Sequence, residues 1–214
     1  MTHSFDKDYW DQHWRSERTG APATEAVAPP NPHLLQEVGD LEPGTALDAG
    51  CGAGAEAIWL ASHGWQVTAA DIADRALARA AERAAASGVA DRVRWVHADL
   101  SRWKPDTTYD LVTTHYAHPA LPQLAFYDRV AAWVAPGGTL LIVGHLHHDH
   151  GPGREPGREE PPAAASVTAA EITARLDPTE WDVVTAEESH RAVTGHPAGA
   201  VTLHDVVVRA TRRR

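Results

Sequence analysis

The sequence predicts an α/β protein built on a mostly parallel sheet, and three observations support this prediction. Apolar segments of strand length alternate with helical segments through the middle of the chain. Three glycines, Gly50, Gly52 and Gly54, follow the first of these strands at every second position. Two further strand-like segments close the chain. We therefore expect about seven strands, six parallel or nearly so and one antiparallel near the carboxyl terminus, with helices on both faces.

The hydrophobic pattern gives the order of these elements. Strands are expected at TALDA, WQVTAAD, RVRWVHAD, YDLVTTHYAH, TLLIVGH, WDVVTAEESH and AVTLHDVVVRA. Helices are expected at DKDYWDQHWRSE, NPHLLQEV, AEAIWLASHG, ADRALARAAERAAASG and LPQLAFYDRVAAWVA. Gly64 and Gly88 end two of these helices, and the sequence PGG ends the last. Residues 168–171, TAAE, have the spacing of a capping box that opens a short helix reaching Leu176.

Length and composition limit the possible functions. The 214 residues suit one domain with a full core, which we divide into an N-terminal segment, 1–33, and the sheet domain, 34–214. A net charge of -10 argues against nucleic acid as a partner. No apolar run approaches the roughly 20 residues that span a bilayer. Cys51 is the only cysteine, and the start of the chain does not resemble a secretory signal, so we expect a cytoplasmic protein.

The glycines lie where an open parallel sheet binds its ligand, beyond the carboxyl end of a strand. Gly50 and Gly52 allow the backbone to approach that ligand closely, and the following helix directs free N–H groups at it. Asp71 ends the second strand, where such folds bind ribose hydroxyls, and Asp99 ends the third. Together these residues predict a nucleoside pocket.

Two kinds of cofactor fit such a pocket. Gly50, Gly52 and Ala55 formally satisfy the dinucleotide pattern G-x-G-x-x-G/A. Asp48, however, stands just before the glycines, and a carboxylate there favours a cofactor that carries an ammonium or sulfonium over a pyrophosphate. The predicted elements also end in two strands rather than in a further βαβ unit, which again argues against a dinucleotide.

The sequence LDAGCGAG resembles motif I of the class I S-adenosylmethionine-dependent methyltransferases, which have a Rossmann-like fold. The segments VTAADIADRAL, RVRWVHADL, YDLVTTHYAH and VAPGGTLLIVGH resemble, in order, the four motifs that follow it in that family. The match runs from about residue 31 to 145. The combination of YWDQHW, PNPHLLQEV and GWQVTAADI further resembles small bacterial members related to the tellurite-resistance and thiopurine methyltransferases, which act on small, often soft nucleophiles.

The resemblance implies roles for individual residues toward S-adenosyl-L-methionine. Asp48 would face the methionine amino group, Gly50 and Gly52 would line the methionine moiety, and Cys51 lies within the same turn. Asp71 would hold the ribose. Adenine would be contacted by Ile72, Asp99 and Leu100. His115 would lie near the sulfonium. Trp10 and Trp14 would form part of a lid in the segment 1–33.

Acceptor-side residues follow the fourth and fifth strands. A thiol acceptor needs little help in losing its proton, whereas a hydroxyl needs a base within hydrogen-bond reach. We expect His115 or His145 to act as base or to orient the acceptor, with Tyr116 beside them lining the pocket. Each could instead be a polar wall or a structural hydrogen-bond partner.

A histidine-rich stretch follows the fifth strand: His145, His147, His148, Asp149 and His150. Zinc and nickel bind such side chains. The stretch lies in a Gly/Pro-rich loop without the separated ligand pairs of a structural zinc site, so we expect a solvated loop and no metal. The stretch could instead form a metal site, or a lid that binds an acidic or metalloid substrate.

The sequence therefore predicts methyl transfer to a small molecule, with sulfur or another soft atom as first choice of acceptor. Oxygen or nitrogen of a small aromatic metabolite is the next choice. The same pocket is compatible with a nicotinamide-dependent oxidoreductase, a non-catalytic S-adenosylmethionine-binding protein or a nucleic-acid methyltransferase. The last would carry an (Asp/Asn)-Pro-Pro-aromatic motif after strand four, where this chain has THYAHP. The sequence does not indicate an oligomeric state.

Overall fold

The computed structural model describes residues 6–16, 29–146, 166–196 and 199–214. Within these ranges the strands are β1 (Thr45–Ala49), β2 (Gln66–Asp71), β3 (Val93–His97), β4 (Tyr109–His115), β5 (Val134–His145), β6 (Trp181–His196) and β7 (Gly199–Arg212). The α-helices are α1 (Lys7–Ser16), α2 (Pro32–Val38), α3 (Ala55–Ser62), α4 (Asp74–Ala86), α5 (Gln123–Ala131) and α6 (Ala169–Thr173). A short 3-10 turn, Ala90–Arg92, precedes β3.

The seven strands form one sheet in the order β3-β2-β1-β4-β5-β7-β6. Strands β1 to β5 are parallel to one another, and β7 is antiparallel to both β5 and β6. Strand β6 therefore runs in the direction of the first five, which confirms the prediction of six strands in one direction and one reversed near the end of the chain. The order reverses between β1 and β4, where ligands bind in open α/β sheets.

The core has two apolar layers, one on each face of the sheet. Along β5, Leu140 and Ile142 pack on the face covered by Phe126 of α5, while Leu141 packs on the face covered by Leu60 of α3. This alternation follows from the two-residue period of a strand. Because both faces are buried, the central strands are apolar almost throughout, as in the buried run of β1.

Two boundaries differ from the sequence-based prediction. Helix α5 ends at Ala131, before the predicted stop at PGG, because Trp133 and Val134 are buried and lead directly into β5. The pairing of β4 with β5 then shifts between Tyr109 and Leu111. Helix α6 has both bonds of the predicted capping box, between Thr168 and Glu171, but its last helical residue is Thr173, and a turn continues to Leu176.

Strands β6 and β7 extend beyond the rest of the sheet. Their pairing runs from Trp181↔Arg212 to His196↔Gly199, whereas β7 pairs with β5 only as far as His145↔Asp205. The remainder of the hairpin therefore continues as a two-stranded ribbon past the carboxyl end of β5. In the described part of the chain, every helix is too short or too polar to cross a membrane.

Candidate functional site

A cavity of about 470 Å³ opens at the carboxyl ends of β1, β2 and β4. This volume lies within the range of about 300–1,000 Å³ typical of small-molecule pockets. The lining comes from α1, the glycine turn, the start of α3, α4 and the loops after β2, β3 and β4. The lining residues are Trp10, Trp14, Gly50, Cys51, Gly52, Ala53, Ala55, Glu56, Asp71, Ile72, Arg79, Arg83, Ala98, Asp99, Leu100, His115, Tyr116, Ala117, His118, Pro119 and Ala120.

The glycine turn after β1 can pack against its neighbours only because it lacks side chains at two positions. Gly50 has a φ of 85°, and a Cβ placed on it would lie 2.4 Å from the Cβ of Ala117 in the loop after β4. Gly54 is also left-handed, with a φ of 81°, and a Cβ there would lie 2.8 Å from the ring of Trp95. The turn therefore packs tightly on its protein side and presents bare backbone to the cavity.

Asp71 connects the glycine turn to the end of β2. Its Oδ2 accepts a hydrogen bond from Gly52 N at 2.8 Å, and its Oδ1 accepts one from Ala73 N at 2.9 Å. Burial raises the pKa of this carboxyl group, and the backbone N–H donors partly offset that effect. Ile72 follows directly and lines the cavity, as the sequence predicts for these two positions.

Asp48 lies behind the cavity wall and is not one of the lining residues. Its side chain is buried, and Oδ2 has no hydrogen-bond partner among the described residues. Burial raises the pKa of Asp48 well above its usual range, and the negative charges of Glu56 and Asp71 raise it further. Glu56 is the carboxylate of α3 that lines the cavity, and the sequence-based prediction did not include it. The three acids together favour a cationic ligand.

The loop after β3 forms another part of the wall. Asp99 and Leu100 line the cavity as predicted, and Asp99 Oδ1 accepts bonds from Ser101 N at 2.9 Å and Ser101 Oγ at 2.6 Å. Cys51 also lines the cavity from the glycine turn. Burial raises the pKa of the Cys51 thiol well above its usual range, so this side chain stays protonated and contributes packing.

Helix α1 covers part of the cavity with two indole rings. Both Trp10 and Trp14 line it, and the ring of Trp14 lies 3.0 Å from the position of a Cβ on Gly52. Trp10 Nε1 donates a hydrogen bond to the carbonyl oxygen of His118 at 3.3 Å. Lys7 forms an ion pair with Asp74 at 3.3 Å, which connects α1 to the start of α4. The predicted aromatic segment therefore lies against the site.

Two neighbouring residues at the end of β4 form the opposite wall. His115 Nδ1 lies 3.4 Å from Thr113 Oγ1, and its buried Nε2 has no hydrogen-bond partner among the described residues. Burial lowers the pKa of His115, so the neutral imidazole is favoured. Tyr116 has a φ of 53°, and its ring stacks on His145 with centroids 4.2 Å apart. His145 therefore stands behind Tyr116 and is not a lining residue.

A buried polar network holds Tyr116 in place. Its hydroxyl donates to Asp205 Oδ1 at 2.8 Å and accepts from Asn31 Nδ2 at 3.1 Å. His33 Nε2 lies 3.3 Å from the other oxygen of Asp205, whose side chain is fully buried on β7. Because the hydroxyl is engaged on the protein side, Tyr116 presents its ring to the site.

Asn31, His33 and Asp205 were not predicted from the sequence. The available signals were the sequence PNPH before α2 and a single acid within the apolar strand DVVV. No group of three or more His, Cys, Asp or Glu side chains that could hold a metal ion occurs in the described ranges. The predictions for His147, His148, Asp149 and His150 lie outside those ranges.

Comparisons with known proteins agree with this geometry. A family model described as a methyltransferase domain matches residues 46–138, from β1 into β5. Thiocyanate methyltransferase 1 of Arabidopsis thaliana is 28% identical over 187 residues, which cover 86% of this chain and 78% of that protein. The chain is a class I S-adenosylmethionine-dependent methyltransferase. The family match decides against a nicotinamide-dependent oxidoreductase.

Two solved structures show the same fold as this methyltransferase. One, described in a study of the conversion of a disulfide bond into a thioacetal group during echinomycin biosynthesis, has a TM-score of 0.68 at 22% identity and covers 97% of this chain and 91% of its own. The other is TehB from Haemophilus influenzae, with a TM-score of 0.67 at 15% identity, covering 97% of this chain and 67% of its own.

S-adenosyl-L-methionine is the cofactor of this methyltransferase, and the residues present fit it. A side chain on Gly50 would collide with Ala117, so bare backbone is required at the wall of the cavity. The negative charges of Glu56 and Asp71 raise the pKa of the buried Asp48 carboxyl group, so a nearby positive charge would favour its ionised form. A cofactor with an ammonium and a sulfonium group supplies that charge.

Proposed function

We propose that this methyltransferase transfers the methyl group to sulfur, or another soft atom, of a small molecule. The choice of sulfur rests on one observation. Over most of both chains, this protein resembles a relative named thiocyanate methyltransferase, and the sulfur of thiocyanate is a soft nucleophile. The fold it shares with a protein from a study of disulfide-to-thioacetal conversion agrees with this choice.

The size of the cavity supports a small acceptor. About 470 Å³ has to hold both the cofactor and the acceptor, and Trp10 and Trp14 of α1 form part of its wall. An extruded nucleotide would need further room and a positively charged surface, whereas the chain has a net charge of -10. We therefore propose that the substrate is not a nucleic acid.

The proposed roles follow from position. Gly50, Gly52 and Glu56 would contact the methionine part of the cofactor. The carboxylate of Asp48, which lies behind the cavity wall, would attract the positive charge of that part. When bound, the cofactor supplies a methyl group already activated by a sulfonium. The side chains of the site then have to orient the acceptor, exclude water and accept a proton where the acceptor carries one.

The remaining positions would bind adenosine or cover the site. Asp71 would accept bonds from the ribose hydroxyls, Ile72, Asp99 and Leu100 would surround adenine, and Trp10 and Trp14 would form the lid. The bonds from Asn31 to Tyr116 and to Glu56 support a lid that ends before residue 31, slightly earlier than the predicted boundary of 33. A cytoplasmic location stays a prediction.

A product assay tests the acceptor. The purified protein is given S-adenosylmethionine labelled in the methyl group, together with thiocyanate, small thiols, phenols, amines and metalloid oxyanions. We expect labelled product from the sulfur acceptors and equimolar S-adenosylhomocysteine. Methylation confined to phenols or amines would instead establish an O- or N-methyltransferase. Cofactor binding without product from any acceptor would favour a non-catalytic protein.

A single substitution tests the placement of the cofactor. Asp71→Ala removes the proposed acceptor for the ribose hydroxyls and should weaken cofactor binding about ten- to a hundredfold. Isothermal titration calorimetry with S-adenosylhomocysteine measures the change. Asp106→Ala, at an exposed acid outside the cavity, is the matched control and should leave the affinity unchanged. Unchanged affinity in Asp71→Ala would show that the ribose lies elsewhere.

A further inference from the structure

Arg129 lies on α5 and is not a lining residue of the cavity, but its side chain contacts the turn that follows β3. Its Nε donates a hydrogen bond to the carbonyl oxygen of Leu100 at 3.2 Å, and its Nη2 donates to that of Trp103 at 2.8 Å. The Arg129 side chain is half-buried, so both bonds are partly shielded from water. One rigid guanidinium group therefore binds two carbonyl oxygens of the same short turn.

This turn, residues 99–103, resembles a single turn of helix. Asp99 Oδ1 accepts a hydrogen bond from Ser101 N at 2.9 Å, and the carbonyl oxygen of Asp99 accepts one from Trp103 N at 2.7 Å. The last carbonyl oxygens of a helical segment have no donor within the segment, and basic side chains often bind them. Arg129 supplies such donors from a neighbouring helix.

The same turn forms part of the cavity wall. Leu100 lines the cavity, although only 6% of its surface is exposed, and its Cδ1 lies 3.9 Å from the position of a Cβ on Gly50. Just before the turn, Ala98 N donates a hydrogen bond to the carbonyl oxygen of Asp71 at 2.9 Å. The start of the turn is therefore held by the end of β2, and its end is held by α5.

A buried indole ring favours the observed orientation of Arg129. The guanidinium carbon lies 5.9 Å from the centroid of the Trp133 ring, a distance at which a cation is attracted to an aromatic face. Trp133 is buried, and the ring of Trp103 packs edge-on against it, with centroids 5.7 Å apart. These contacts stabilise the arrangement in which the guanidinium group faces the turn.

We propose that Arg129 is a positioning residue for the cofactor, because it holds the turn 99–103 in the place that binds the adenosine part. The inference rests on the proposed function, in which Asp99 and Leu100 surround adenine. With Arg129 in place, this wall is ordered before the cofactor binds, and binding does not carry the entropic cost of ordering it. Without the two bonds, the cofactor would have to order the turn, and its affinity would fall.

Hydrogen exchange of backbone amides, measured by nuclear magnetic resonance, tests the positioning in the ligand-free protein. The reporters are the amides of Ser101 and Trp103, which are hydrogen-bonded within the turn. We expect both to exchange about tenfold faster in Arg129→Met, because the turn opens more often. Arg175→Met is the matched control, since Arg175 is exposed and pairs with Asp128, the neighbour of Arg129 on α5. It should leave both exchange rates unchanged.

Calorimetry tests the consequence for binding. S-adenosylhomocysteine and methylthioadenosine share the adenosine part, and only the first carries the amino acid. We expect Arg129→Met to weaken the binding of both ligands by the same factor, about tenfold. Arg129→Lys keeps the charge but not the planar fork, so its loss should be smaller. Arg175→Met should change neither affinity.

Two calorimetric results would overturn the role of Arg129. If the substitutions only destabilise the protein, Arg129→Met and Arg129→Lys will bind S-adenosylhomocysteine with a lower stoichiometry and an unchanged Kd. If the loss of affinity is confined to S-adenosylhomocysteine, the substitutions act on the amino-acid part of the ligand and not on the adenosine part.

The exchange experiment separates this inference from the proposed function. We expect S-adenosylhomocysteine to slow the exchange of the Ser101 and Trp103 amides in the wild-type protein, because adenosine lies against the turn. The absence of slowing would mean that the proposed placement of adenine is wrong, and the role of Arg129 would fail with it. Slowing in the wild type, together with unchanged exchange in ligand-free Arg129→Met, would overturn the role of Arg129 alone.

Discussion

Gly50 determines the shape of the cavity through the side chain that it lacks. Its φ of 85° is unfavourable for other residues, and a Cβ would lie 2.4 Å from that of Ala117. We expect Gly50→Ala to lower the free energy of unfolding by about 2–4 kcal/mol, from backbone strain together with the collision. Urea denaturation measures the change, and calorimetry should show weakened cofactor binding.

Gly88 provides the matched control. It has a φ of 71° at the end of α4, but nothing lies within 4 Å of the position of its Cβ. Gly88→Ala should therefore cost only the backbone strain, about 1 kcal/mol, and leave cofactor affinity unchanged. If Gly50→Ala and Gly88→Ala lower the free energy of unfolding equally, the collision with Ala117 does not contribute to the loss.

The buried acids make cofactor binding depend on pH. Burial raises the pKa of both Asp48 and Asp71, and a bound cation favours their ionised forms. Binding therefore releases protons, and the affinity should fall as the pH drops through the raised pKa values. Calorimetry in two buffers of different ionisation enthalpy measures the protons released.

The variant Asp48→Asn tests the origin of this pH dependence. It keeps the shape of the side chain but removes the titrating group, so the number of protons released on binding should fall. Affinity for S-adenosylmethionine should also fall at neutral pH, because a nearby negative charge is lost. An unchanged release of protons would assign the dependence to other groups.

At the scale of elements, Asp205 joins three parts of the fold that are distant in sequence. It bonds Tyr116 after β4 and His33 of α2, and it is itself fully buried on β7. Removing this carboxylate takes one hydrogen-bond partner from each of these two half-buried side chains. We expect Asp205→Ala to cost about 3–5 kcal/mol in the free energy of unfolding, measured with urea.

Asp182 of β6 is the control for this experiment. It pairs with Arg213, but both side chains are more than half exposed. Such surface pairs contribute about 0–1 kcal/mol, so Asp182→Ala should be nearly neutral. Tyr116→Phe removes only one hydroxyl of the network. Its loss in the free energy of unfolding should lie between the losses in Asp205→Ala and Asp182→Ala. A small loss in Asp205→Ala would mean that water replaces the carboxylate.

At the scale of the whole molecule, ligand binding and stability are linked. The cavity is lined from α1, α3, α4 and the ends of several strands, so we expect a cofactor bound there to contact elements across the fold. S-adenosylhomocysteine at a hundred times its Kd should raise the free energy of unfolding by about 2.7 kcal/mol. A shift in the urea midpoint measures this effect, and Asp71→Ala should show a smaller shift at the same concentration.

The sequence predicted the sheet, and it singled out several residues that line the cavity, because both depend on local patterns. Alternating apolar segments indicate parallel strands, and Gly50 and Gly52 follow one strand directly. The network of Asn31, Tyr116 and Asp205 could not be predicted in this way. Its members lie far apart in sequence, and only tertiary packing brings them together.

The two acids near the first glycines show that tertiary packing also decides the roles of residues that are close in sequence. Asp48 precedes them and Glu56 follows, and both are plausible partners for a cation. Which one lines the cavity depends on how α3 packs against β1, and the hydrophobic pattern does not record this packing. The contact between His118 of the cavity wall and Gln123 depends likewise on tertiary packing, because Gln123 reaches His118 only once α5 is in place.

The ribbon formed by the outer parts of β6 and β7 gives the fold a region that can change in length. Beyond Asp205 the two strands pair only with each other, and β5 no longer accompanies them. Adding or removing matched residue pairs there would leave the register of the buried strands intact. Evolution or an engineer could therefore lengthen or shorten this ribbon without rebuilding the interior.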